Sequence, residues 1–474
     1  MRKPRVIVVG AGPAGGACSL SLARTGAFEV LVLDKSQYPR VKVCGSGLSP
    51  HALDVLVKLG LRERFAPQHG VIDTMLVRGP QGGEQSLHAG IEAWVVPRVE
   101  LDHGIVRAAV EHGAELREGT KVLELLRDPS GQVRGVKAES GDIEADLVIC
   151  ADGSPSRFSR DEQPKTTIRT IMGWWRGTPY NGRTAHMVWD RRLSGYYAWM
   201  FPEPGEVVNI GLTIPENAPE AGRLKALFQE LLDEHWGDGL RDAEQVGKWM
   251  GHPAVITNRV GPIAEAHAMW VGEAARLVSP GTVEGIGFAL ESGCIAADVV
   301  TRHFQGERGL SMLATGSYRA RLAASMLPKF WAGEALARGC RSRKSGEWPT
   351  AWSTARSARG SIARSRRCWA TTGARSPRAR PADAERPNSD ARGPCGFAGV
   401  ASFKVRKGDA ASRGSRASVM HGDVQGGRSH PCGWKILGLT RTSQPRRCAA
   451  PRGGAGCSRS GRGPRWSRPR PRGG

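Results

Sequence analysis

A glycine-rich segment near the N-terminus has the spacing needed to bind a pyrophosphate. It reads Gly10-Ala11-Gly12-Pro13-Ala14-Gly15. In this pattern the first glycine permits a tight turn, the second lets the backbone approach a pyrophosphate, and the third allows a helix to pack closely on a strand. Asp34 lies 24 residues after Gly10, where a carboxylate accepts hydrogen bonds from ribose hydroxyls, and Lys35 follows it. We expect all of these residues to bind a dinucleotide.

The flanking residues are those that would hold this segment in place. The run from Arg5 to Val9 is short, β-branched and followed by glycine, which is typical of a buried strand. A helix-like run follows at Ala17–Arg24, and a second strand is predicted at Glu29–Asp34. A helix that begins at the glycine-rich turn directs free N–H groups and the positive end of its dipole at the phosphates. The sequence therefore predicts a strand–helix–strand dinucleotide site rather than a chance glycine pattern.

Two later segments favour FAD over NAD. The run Asp146–Gly153 predicts a buried strand that ends in Asp152-Gly153. The run Ala268–Pro280 again predicts a strand followed by a turn, and it leads into a glycine-rich helix start containing Gly285 and Ile286. Such a helix can direct N–H groups at the electron-rich N1–C2=O2 edge of a flavin. Separate strand–turn units that meet along one extended cofactor indicate FAD.

The basic character of the chain belongs to its C-terminal part. The formal net charge is +23, but residues 339–474 contain 30 basic and 6 acidic residues, whereas residues 1–338 contain 38 and 39. We therefore expect no nucleic-acid partner for 1–338. The segment 339–474 has 26 arginines and no helical or strand period. Two explanations stay open: an out-of-frame reading of GC-rich DNA, or a disordered arginine-rich tail that contacts nucleic acid.

Cysteine usage and the N-terminus indicate a cytoplasmic protein without a metal site. Cys18, Cys44, Cys150 and Cys294 are far apart and lack CxxC spacing, so neither a disulfide framework nor a zinc site is predicted in 1–338. The first residues imitate a signal peptide, but Pro13 and several glycines make a poor apolar helix. No run of 18 or more strongly apolar residues predicts a membrane span.

Further segments carry recognisable motifs. The Lys-x-Cys-Gly element lies in Pro39–Pro50, and Tyr-x-Trp-x-Phe-Pro is Tyr197–Pro202. Together with Gly10–Gly15, Arg98 with Leu101-Asp102, Asp152-Gly153 and Gly272–Gly293, they resemble the geranylgeranyl reductase family of FAD-dependent oxidoreductases, within the p-hydroxybenzoate-hydroxylase-like fold. The resemblance covers about residues 1–335, and Lys-x-Cys-Gly and Tyr-x-Trp-x-Phe-Pro are the elements that set this family apart from other flavin hydroxylases.

The resemblance implies roles for individual residues. Arg98 would contact the phosphate or ribityl region of FAD, Asp152 the pyrophosphate side, and Cys44-Gly45 would lie beside the isoalloxazine ring. Glu273, Pro280, Gly285 and Ile286 would complete the cofactor site. Tyr197, Trp199 and Phe201 would line the substrate cavity, although a strand that packs alternating aromatics into a core explains them equally well. Cys44 and Tyr197 are the candidate proton donors, and a small buried core cysteine is the alternative for Cys44.

Three residues depart from the family pattern in the last of these segments. Glu273 stands where the family has aspartate, so its side chain is one methylene longer. Arg276 replaces a glycine close to the expected path of the cofactor, which predicts a clash. Val283 stands where the family favours glycine, and a β-branched residue is strained there if the position requires a positive φ.

The expected architecture is a Rossmann-type α/β FAD-binding domain with an inserted antiparallel β-sheet substrate domain. The predicted division is 1–165 and 259–338 for the FAD-binding domain, 166–258 for the substrate domain, and 339–474 for a disordered or out-of-frame tail. The implied reaction is reduction of polyprenyl double bonds by hydride from flavin N5, with NADPH or ferredoxin as reductant. The substrate is a small-molecule or lipid isoprenoid, which allows peripheral contact with the inner face of the membrane. Alternatives are a flavin monooxygenase or halogenase on the same fold and a non-functional frameshifted product.

Overall fold

The computed structural model describes residues 2–159, 166–180 and 182–341. The predicted tail at 339–474 lies outside these residues, apart from its first three, which end the last helix. The predicted boundary at 165/166 falls where the described residues resume.

The described residues contain both strands and helices. The strands are β1 Arg5–Val9, β2 Glu29–Leu33, β3 Gly47–Leu48, β4 Gly70–Arg78, β5 Glu84–Val95, β6 Glu115–Arg117, β7 Val122–Arg127, β8 Val133–Ala138, β9 Gly141–Glu144, β10 Leu147–Cys150, β11 Thr166–Arg176, β12 Thr184–Trp189, β13 Tyr197–Glu203, β14 Val207–Pro215, β15 Glu244–Gln245, β16 Met250–Ile256, β17 Ala264–Glu265 and β18 Ala268–Trp270. The helices are α1 Pro13–Ala23, α2 Pro50–Lys58, α3 Arg62–Phe65, α4 Arg98–Glu111, α5 Leu224–Leu240, α6 Ile286–His303 and α7 Met312–Arg341.

The first sheet has the order β17-β18-β10-β1-β2-β6, and all its neighbours are parallel except β17 and β18. Its central strands are continuous runs of buried apolar residues, as expected for a parallel sheet covered on both faces. The strand order reverses at β1: β2 and β6 are added on one side of it, and β10 and β18 on the other. Ligands bind in the crevice at such a switch point, beyond the carboxyl ends of the strands. The turns after β1, β2, β10 and β18 all lie at this edge.

Helix α1 is buried along almost its whole length and packs against α4 and α6. Small residues make this close approach possible, because a side chain on Gly293 would overlap the carbonyl oxygen of Ala14, 2.3 Å from the position of its Cβ. The packing fixes the start of α1 and the start of α6 relative to each other. Both of these helix N-termini therefore have set positions near the switch point.

The second sheet has the order β15-β11-β14-β13-β12-β4-β5-β3, with β16 paired to β11. Most of it comes from the predicted substrate domain. However, β4 pairs with β12 in parallel, and β3 and β5 extend the same sheet. The predicted division had placed all of 1–165 in the FAD-binding domain, whereas the strands between 47 and 95 belong to the second sheet. Long-range strand pairing of this kind leaves no local signal in the sequence.

Outer elements complete the fold. The strands β7, β8 and β9 form a small antiparallel sheet next to β10, and α5 covers the face of the second sheet that Ala198 and Met200 occupy. Helix α7 runs to Arg341, three residues beyond the predicted end at Arg338, and packs on α6. Within 2–159, 166–180 and 182–341, no helix combines the length and apolar character needed to cross a bilayer.

Candidate functional site

A cavity of about 870 Å³ opens at the switch point and receives residues from both sheets. It is the place where the remote predicted segments meet. The residues on its wall include Asp34, Arg98, Asp152 and Gly285, one from each of the four turns or helix starts on which the FAD interpretation depends. The other predicted site residues on the wall are Gly10, Gly12, Pro13, Ala14, Lys35, Cys44, Gly45, Tyr197, Trp199, Phe201, Glu273 and Ile286.

Two predicted cofactor residues lie off the cavity wall. Gly15 faces the core of the fold, because a Cβ at this position would lie 1.9 Å from the carbonyl oxygen of Gly10. It has the predicted close-packing function but does not reach the cavity. Pro280 is also off the wall, and its carbonyl oxygen accepts a hydrogen bond of 2.9 Å from the Tyr196 hydroxyl.

The glycine-rich turn is held by Asp34. Gly10 has a φ of +100°, and a Cβ there would lie 2.4 Å from the carbonyl oxygen of Ala151, so only glycine fits. One carboxylate oxygen of Asp34 accepts hydrogen bonds from the backbone N–H of Ala11 at 2.8 Å and from the Tyr38 hydroxyl at 3.2 Å. Asp34 thus holds the turn in place and also lines the cavity. The predicted contact with ribose would use lone pairs of the carboxylate that these hydrogen bonds leave free.

Two guanidinium groups lie next to Gly12. A methyl group on Gly12 would be 3.7 Å from Arg40 Nη2 and 4.0 Å from Arg98 Nη2. The buried carboxylate of Asp102 orients both cations: Arg98 donates to it at 2.7 and 2.8 Å, and Arg40 Nη2 lies 3.0 Å away. Burial disfavours the charged guanidinium of Arg98, but Asp102 outweighs this effect and raises the pKa of Arg98. Arg40 was not predicted, and its place beside Asp102 and Gly12 has no signal in its local sequence.

Acidic side chains form the wall on the far side of the turn. Asp152 accepts hydrogen bonds from the Ser156 hydroxyl at 2.8 Å and the Arg157 backbone N–H at 2.7 Å, and burial raises its pKa. Burial also raises the pKa of Glu273, an effect that Lys42 and Arg98 oppose. The longer side chain of Glu273 still reaches the wall.

Lys42 and His252, which were not predicted as site residues, also meet at the cavity wall. Lys42 Nζ lies 2.7 Å from His252 Nε2. Burial lowers the pKa of Lys42, and burial together with the neighbouring Lys42 cation lowers the pKa of His252 to about 4. His252 is therefore a neutral acceptor for Lys42 at neutral pH. Lys42 belongs to the Lys-x-Cys-Gly element, whereas His252 comes from β16.

Aromatic residues of β13 form the apolar part of the wall. Tyr197, Trp199 and Phe201 alternate along the strand, so they share the face that lines the cavity, while Ala198 and Met200 face the core beneath α5. The Trp199 indole donates to Asn209 Oδ1 at 2.7 Å. Its ring lies against Gly45, where a Cβ would be 2.9 Å from Nε1. These aromatic residues therefore line the cavity and at the same time pack against one another as buried or partly buried side chains.

The two candidate proton donors differ in their surroundings. The Tyr197 hydroxyl donates a short hydrogen bond to the carbonyl oxygen of Thr282. Burial is the main reason that the pKa of Tyr197 is raised, and the nearby Glu284 adds to it. Both effects make Tyr197 a weak acid. Cys44 is half-buried on the wall, in the loop beside Trp199 and Arg98.

The departures from the family pattern have structural consequences. Val283 has a φ of +52°, so the condition for strain at this β-branched residue is met. Arg276 has a φ of +57° and is only 6% exposed, but it does not lie on the cavity wall. The structure therefore gives no support to the expected clash of Arg276 with the cofactor. Both positions favour glycine for its backbone conformation.

The residues present suit a dinucleotide that carries a flavin. Helices α1 and α6 both begin at the cavity, at Gly12 and Gly285, and neither N-terminus has a side-chain cap. Uncapped helix starts leave N–H donors for phosphate oxygens and for an electron-rich ring edge. Gly12 leaves an open cradle beneath two cations, as a pyrophosphate requires. The structure thus fits FAD along its length.

A group of possible metal ligands lies outside this cavity. One ligand atom each from Asp190, Glu234 and His235 falls within 4.8 Å of the others. However, Arg192 forms hydrogen bonds of 2.6 to 2.9 Å with both carboxylates. A cation already neutralises this group, so it is an ion-pair network.

Sequence comparisons with known proteins agree with the interpretation of the cavity as a FAD site. Residues 3–185 match the family described as FAD binding domain. Menaquinone reductase of Mycolicibacterium smegmatis is 32% identical over 62% of this chain and 76% of its own length. Digeranylgeranylglycerophospholipid reductase 1 of Methanopyrus kandleri is 30% identical over 62% of this chain and 79% of its own.

Solved structures share the fold at lower identity. A geranylgeranyl bacteriochlorophyll reductase-like protein from Thermoplasma acidophilum has a TM-score of 0.63 at 22% identity, covering 72% of this chain and 90% of its own. The flavin-dependent brominase Bmp2 has a TM-score of 0.60 at 20% identity, covering 77% of this chain and 100% of its own. Because these identities are low, the solved structures establish the fold alone. The family is established by the sequence relatives. The chain belongs to the geranylgeranyl reductase family of FAD-dependent oxidoreductases.

Proposed function

We propose that this oxidoreductase reduces carbon–carbon double bonds in a geranylgeranyl or other polyprenyl chain. The observation that carries the proposal is the composition of one cavity. Its phosphate-binding end has the glycine-rich turn with Arg40 and Arg98, and its other end has the aromatic wall of Tyr197, Trp199 and Phe201. A cofactor and an apolar chain would therefore meet in the same cavity.

In this proposal the cofactor is held by residues from several remote segments. The N–H groups at the start of α1 and the guanidinium groups beside Gly12 would bind the pyrophosphate, and Asp34 would accept from the adenosine ribose. Asp152 and Glu273 would face the middle of the cofactor. The start of α6 at Gly285 and Ile286 would meet the flavin ring, with Cys44-Gly45 beside it. When bound, the flavin supplies hydride to a carbon of the substrate.

The protein would contribute by holding the double bond in a fixed position and by excluding water from it. An isolated alkene is a poor hydride acceptor, so it must be held at a fixed distance and receive a proton at its second carbon. The rings of β13 offer large apolar surfaces with little side-chain freedom, and Trp199 is fixed by Asn209. Such a wall holds a flexible prenyl chain and keeps water away from it. NADPH or ferredoxin would supply the electrons.

A flavin monooxygenase or halogenase is the second candidate, because a flavin-dependent brominase has the same fold. The two functions predict different products. The chain would be loaded with FAD, reduced without oxygen, and incubated with geranylgeranyl diphosphate, after which the product is analysed by mass spectrometry. A gain of two hydrogens per double bond supports the reductase. Oxygen or halide incorporated into an aromatic substrate under air, with no hydrogenated prenyl product, would favour the alternative.

A further inference from the structure

A network of polar side chains lies directly behind the cavity wall and is not used in the proposed function so far. Glu284 is on the wall, and His51 lies behind it on α2. Glu291 and Ser325 continue the network on α6 and α7. It thus connects the cavity to the side of the molecule where α7 carries the exposed Lys329.

The inner contacts are well formed. His51 Nε2 lies 3.0 Å from Glu291 Oε2. The other oxygen of Glu291 accepts a hydrogen bond of 2.6 Å from the Ser325 hydroxyl. The side chains of His51 and Glu291 are 22% and 19% exposed, so the pair is shielded but not sealed from solvent.

The second ring nitrogen of His51 has no hydrogen-bond partner. His51 Nδ1 is buried and lies 3.9 Å from Glu284 Oε1. That same oxygen accepts a short hydrogen bond from the Ser49 hydroxyl. A buried polar atom without a partner is rare and requires an explanation. Here the unpartnered nitrogen faces a carboxylate on the wall of a reaction cavity.

The space between these two groups exists because residue 287 is glycine. A Cβ on Gly287 would lie 2.8 Å from Glu284 Oε1 and 2.9 Å from His51 Nδ1. Any larger residue would push the two side chains apart. A single substitution at Gly287 can therefore separate His51 from Glu284 without removing either side chain.

The charges around His51 favour the imidazolium form. The charged groups that face it are Glu284 from the segment before α6, Glu291 from α6, and Lys329 from α7. Burial and Lys329 lower its pKa, but the two carboxylates outweigh them, so the pKa of His51 is raised. Burial opposes ionisation of Glu291, but hydrogen bonds from His51 and Ser325 overcome this and lower its pKa to about 2. His51 is therefore more easily protonated than a free imidazole.

We propose that His51 stores the proton that Glu284 passes into the cavity each time a double bond is reduced. This proposal rests on the proposed function. One double bond takes up a hydride, which carries both electrons, at one carbon and a proton at the other. The hydride comes from the reduced cofactor. The N–H bond at His51 Nδ1 breaks, and a proton moves to Glu284 and from there to the second carbon. The neutral ring keeps its Nε2–H beside Glu291, and Nδ1 regains a proton through Glu284 from water that enters the cavity after the product leaves.

This assignment supplies what Tyr197 lacks. The Tyr197 hydroxyl donates a hydrogen bond to a backbone carbonyl, and its raised pKa makes it a weak acid. His51 Nδ1 instead has no acceptor within hydrogen-bond distance. His51 is not among the residues that line the cavity, so it would act through Glu284.

The first test measures the proton itself and needs no activity. The full chain, labelled with ¹⁵N-histidine, is titrated by NMR in the wild-type form and as Glu291→Gln and Glu284→Gln. We expect the pKa of His51 to lie above the ordinary histidine value and to fall in both variants, since each loses a carboxylate that stabilises the imidazolium. A His51 that titrates below the ordinary value, or one that ignores Glu284→Gln, overturns the proposal.

The second test follows reoxidation of the reduced flavin by geranylgeranyl diphosphate in a single anaerobic turnover, as a function of pH. For His51→Gln we expect a rate about a hundredfold lower at neutral pH and no decline with rising pH, as is usual when a general acid is removed. His303→Gln, at the exposed end of α6, is the matched control and should behave as wild type. An unchanged rate and pH profile in His51→Gln overturns the proposal.

A third variant covers the case in which His51→Gln does not fold. Gly287→Ala keeps both His51 and Glu284 but separates them, and alanine is favourable within a helix. We expect it to bind FAD as tightly as wild type and to lose the pH dependence of reoxidation. If it keeps that dependence, the proposal is wrong. If the wild type transfers no hydride to any prenyl substrate, the proposed function fails, and the NMR titration still decides whether His51 holds the proton.

Discussion

The guanidinium group of Arg98 donates two hydrogen bonds, of 2.7 and 2.8 Å, to a carboxylate of Asp102 that has no exposure to solvent. The same carboxylate lies 3.0 Å from Arg40. One buried anion thus orients two cations beside Gly12. The arrangement places positive charge beside the glycine-rich turn and keeps each guanidinium in a fixed direction, which a flexible surface arginine would not provide.

Removal of Asp102 should harm both stability and cofactor binding. In Asp102→Ala two cations lose their common partner inside the protein, which typically costs about 3–5 kcal/mol in the free energy of unfolding. We expect a loss in this range by urea unfolding, together with weaker FAD binding by fluorescence titration. Glu115→Ala, which breaks the exposed pair with Arg117, is the control and should cost at most about 1 kcal/mol. Equal effects of the two substitutions would show that Asp102 does not organise the site.

Gly12 and Gly10 should respond differently to alanine. Gly12 has a φ of −73°, and a methyl group there would come no closer than 3.7 Å to its neighbours, so Gly12→Ala should fold normally while its methyl group obstructs the pyrophosphate. Gly10→Ala meets the carbonyl of Ala151 at 2.4 Å and should unfold more easily. We expect Gly12→Ala to keep its melting temperature and to bind FAD at least about tenfold more weakly, a loss of about 1.4 kcal/mol. Normal FAD affinity in Gly12→Ala would place the pyrophosphate elsewhere.

The strain at Val283 can be measured by two substitutions at the same position. Alanine removes the branched side chain but keeps a Cβ at a φ of +52°, whereas glycine removes the Cβ as well. A left-handed conformation costs an L-residue about 1–2 kcal/mol. We therefore expect Val283→Gly to be more stable than Val283→Ala by about 1 kcal/mol in urea unfolding. If alanine is the more stable variant, the backbone at this position is not strained.

Glu203 should make stability fall with rising pH. This carboxyl, which accepts a hydrogen bond of 3.1 Å from the Trp174 indole, is largely buried, and burial raises its pKa to about 7. A raised pKa means that the folded state binds the proton more tightly, so the stabilisation is complete below the unfolded value of 4.5 and is lost as pH rises towards 7. The loss amounts to about 3 kcal/mol.

Urea unfolding at several pH values between 4 and 8 measures this contribution, with Glu203→Gln as the comparison. The glutamine variant cannot titrate and keeps the shape of the side chain. We expect the difference in unfolding free energy between wild type and variant to change across that window. A constant difference would mean that the pKa of Glu203 is the same in the folded and unfolded states.

The parts of the fold that the sequence predicted are those encoded in short segments. The β1–α1–β2 unit follows from a β-branched run, a glycine pattern and Asp34, and the alternation from Tyr197 to Phe201 follows from the period of a strand. Each of these signals lies within a few residues, so local geometry determines it. This is why the cavity wall could be anticipated from four remote segments.

The parts that the sequence did not predict depend on contacts between distant residues. The pairing of β4 with β12 brings residues 70–95 into the second sheet, and nothing within those strands identifies that partner. Arg40 reaches Gly12 only because Asp102 is buried beside it. The contact of His51 with Glu291 joins residues 240 positions apart. The sequence pattern placed Arg276 on the path of the cofactor. In the structure Arg276 lies off the cavity wall, and what its position requires is a backbone with positive φ.

The central claim is that one cavity holds both the flavin and a prenyl chain, and the visible absorption of the purified protein tests it most directly. The protein is loaded with FAD, reduced without oxygen until the flavin band is bleached, and then mixed with geranylgeranyl diphosphate. We predict that the band returns on mixing and that it does not return with a fully saturated analogue. A reduced flavin that stays bleached with the prenyl substrate, in a protein that binds FAD normally, would contradict the account.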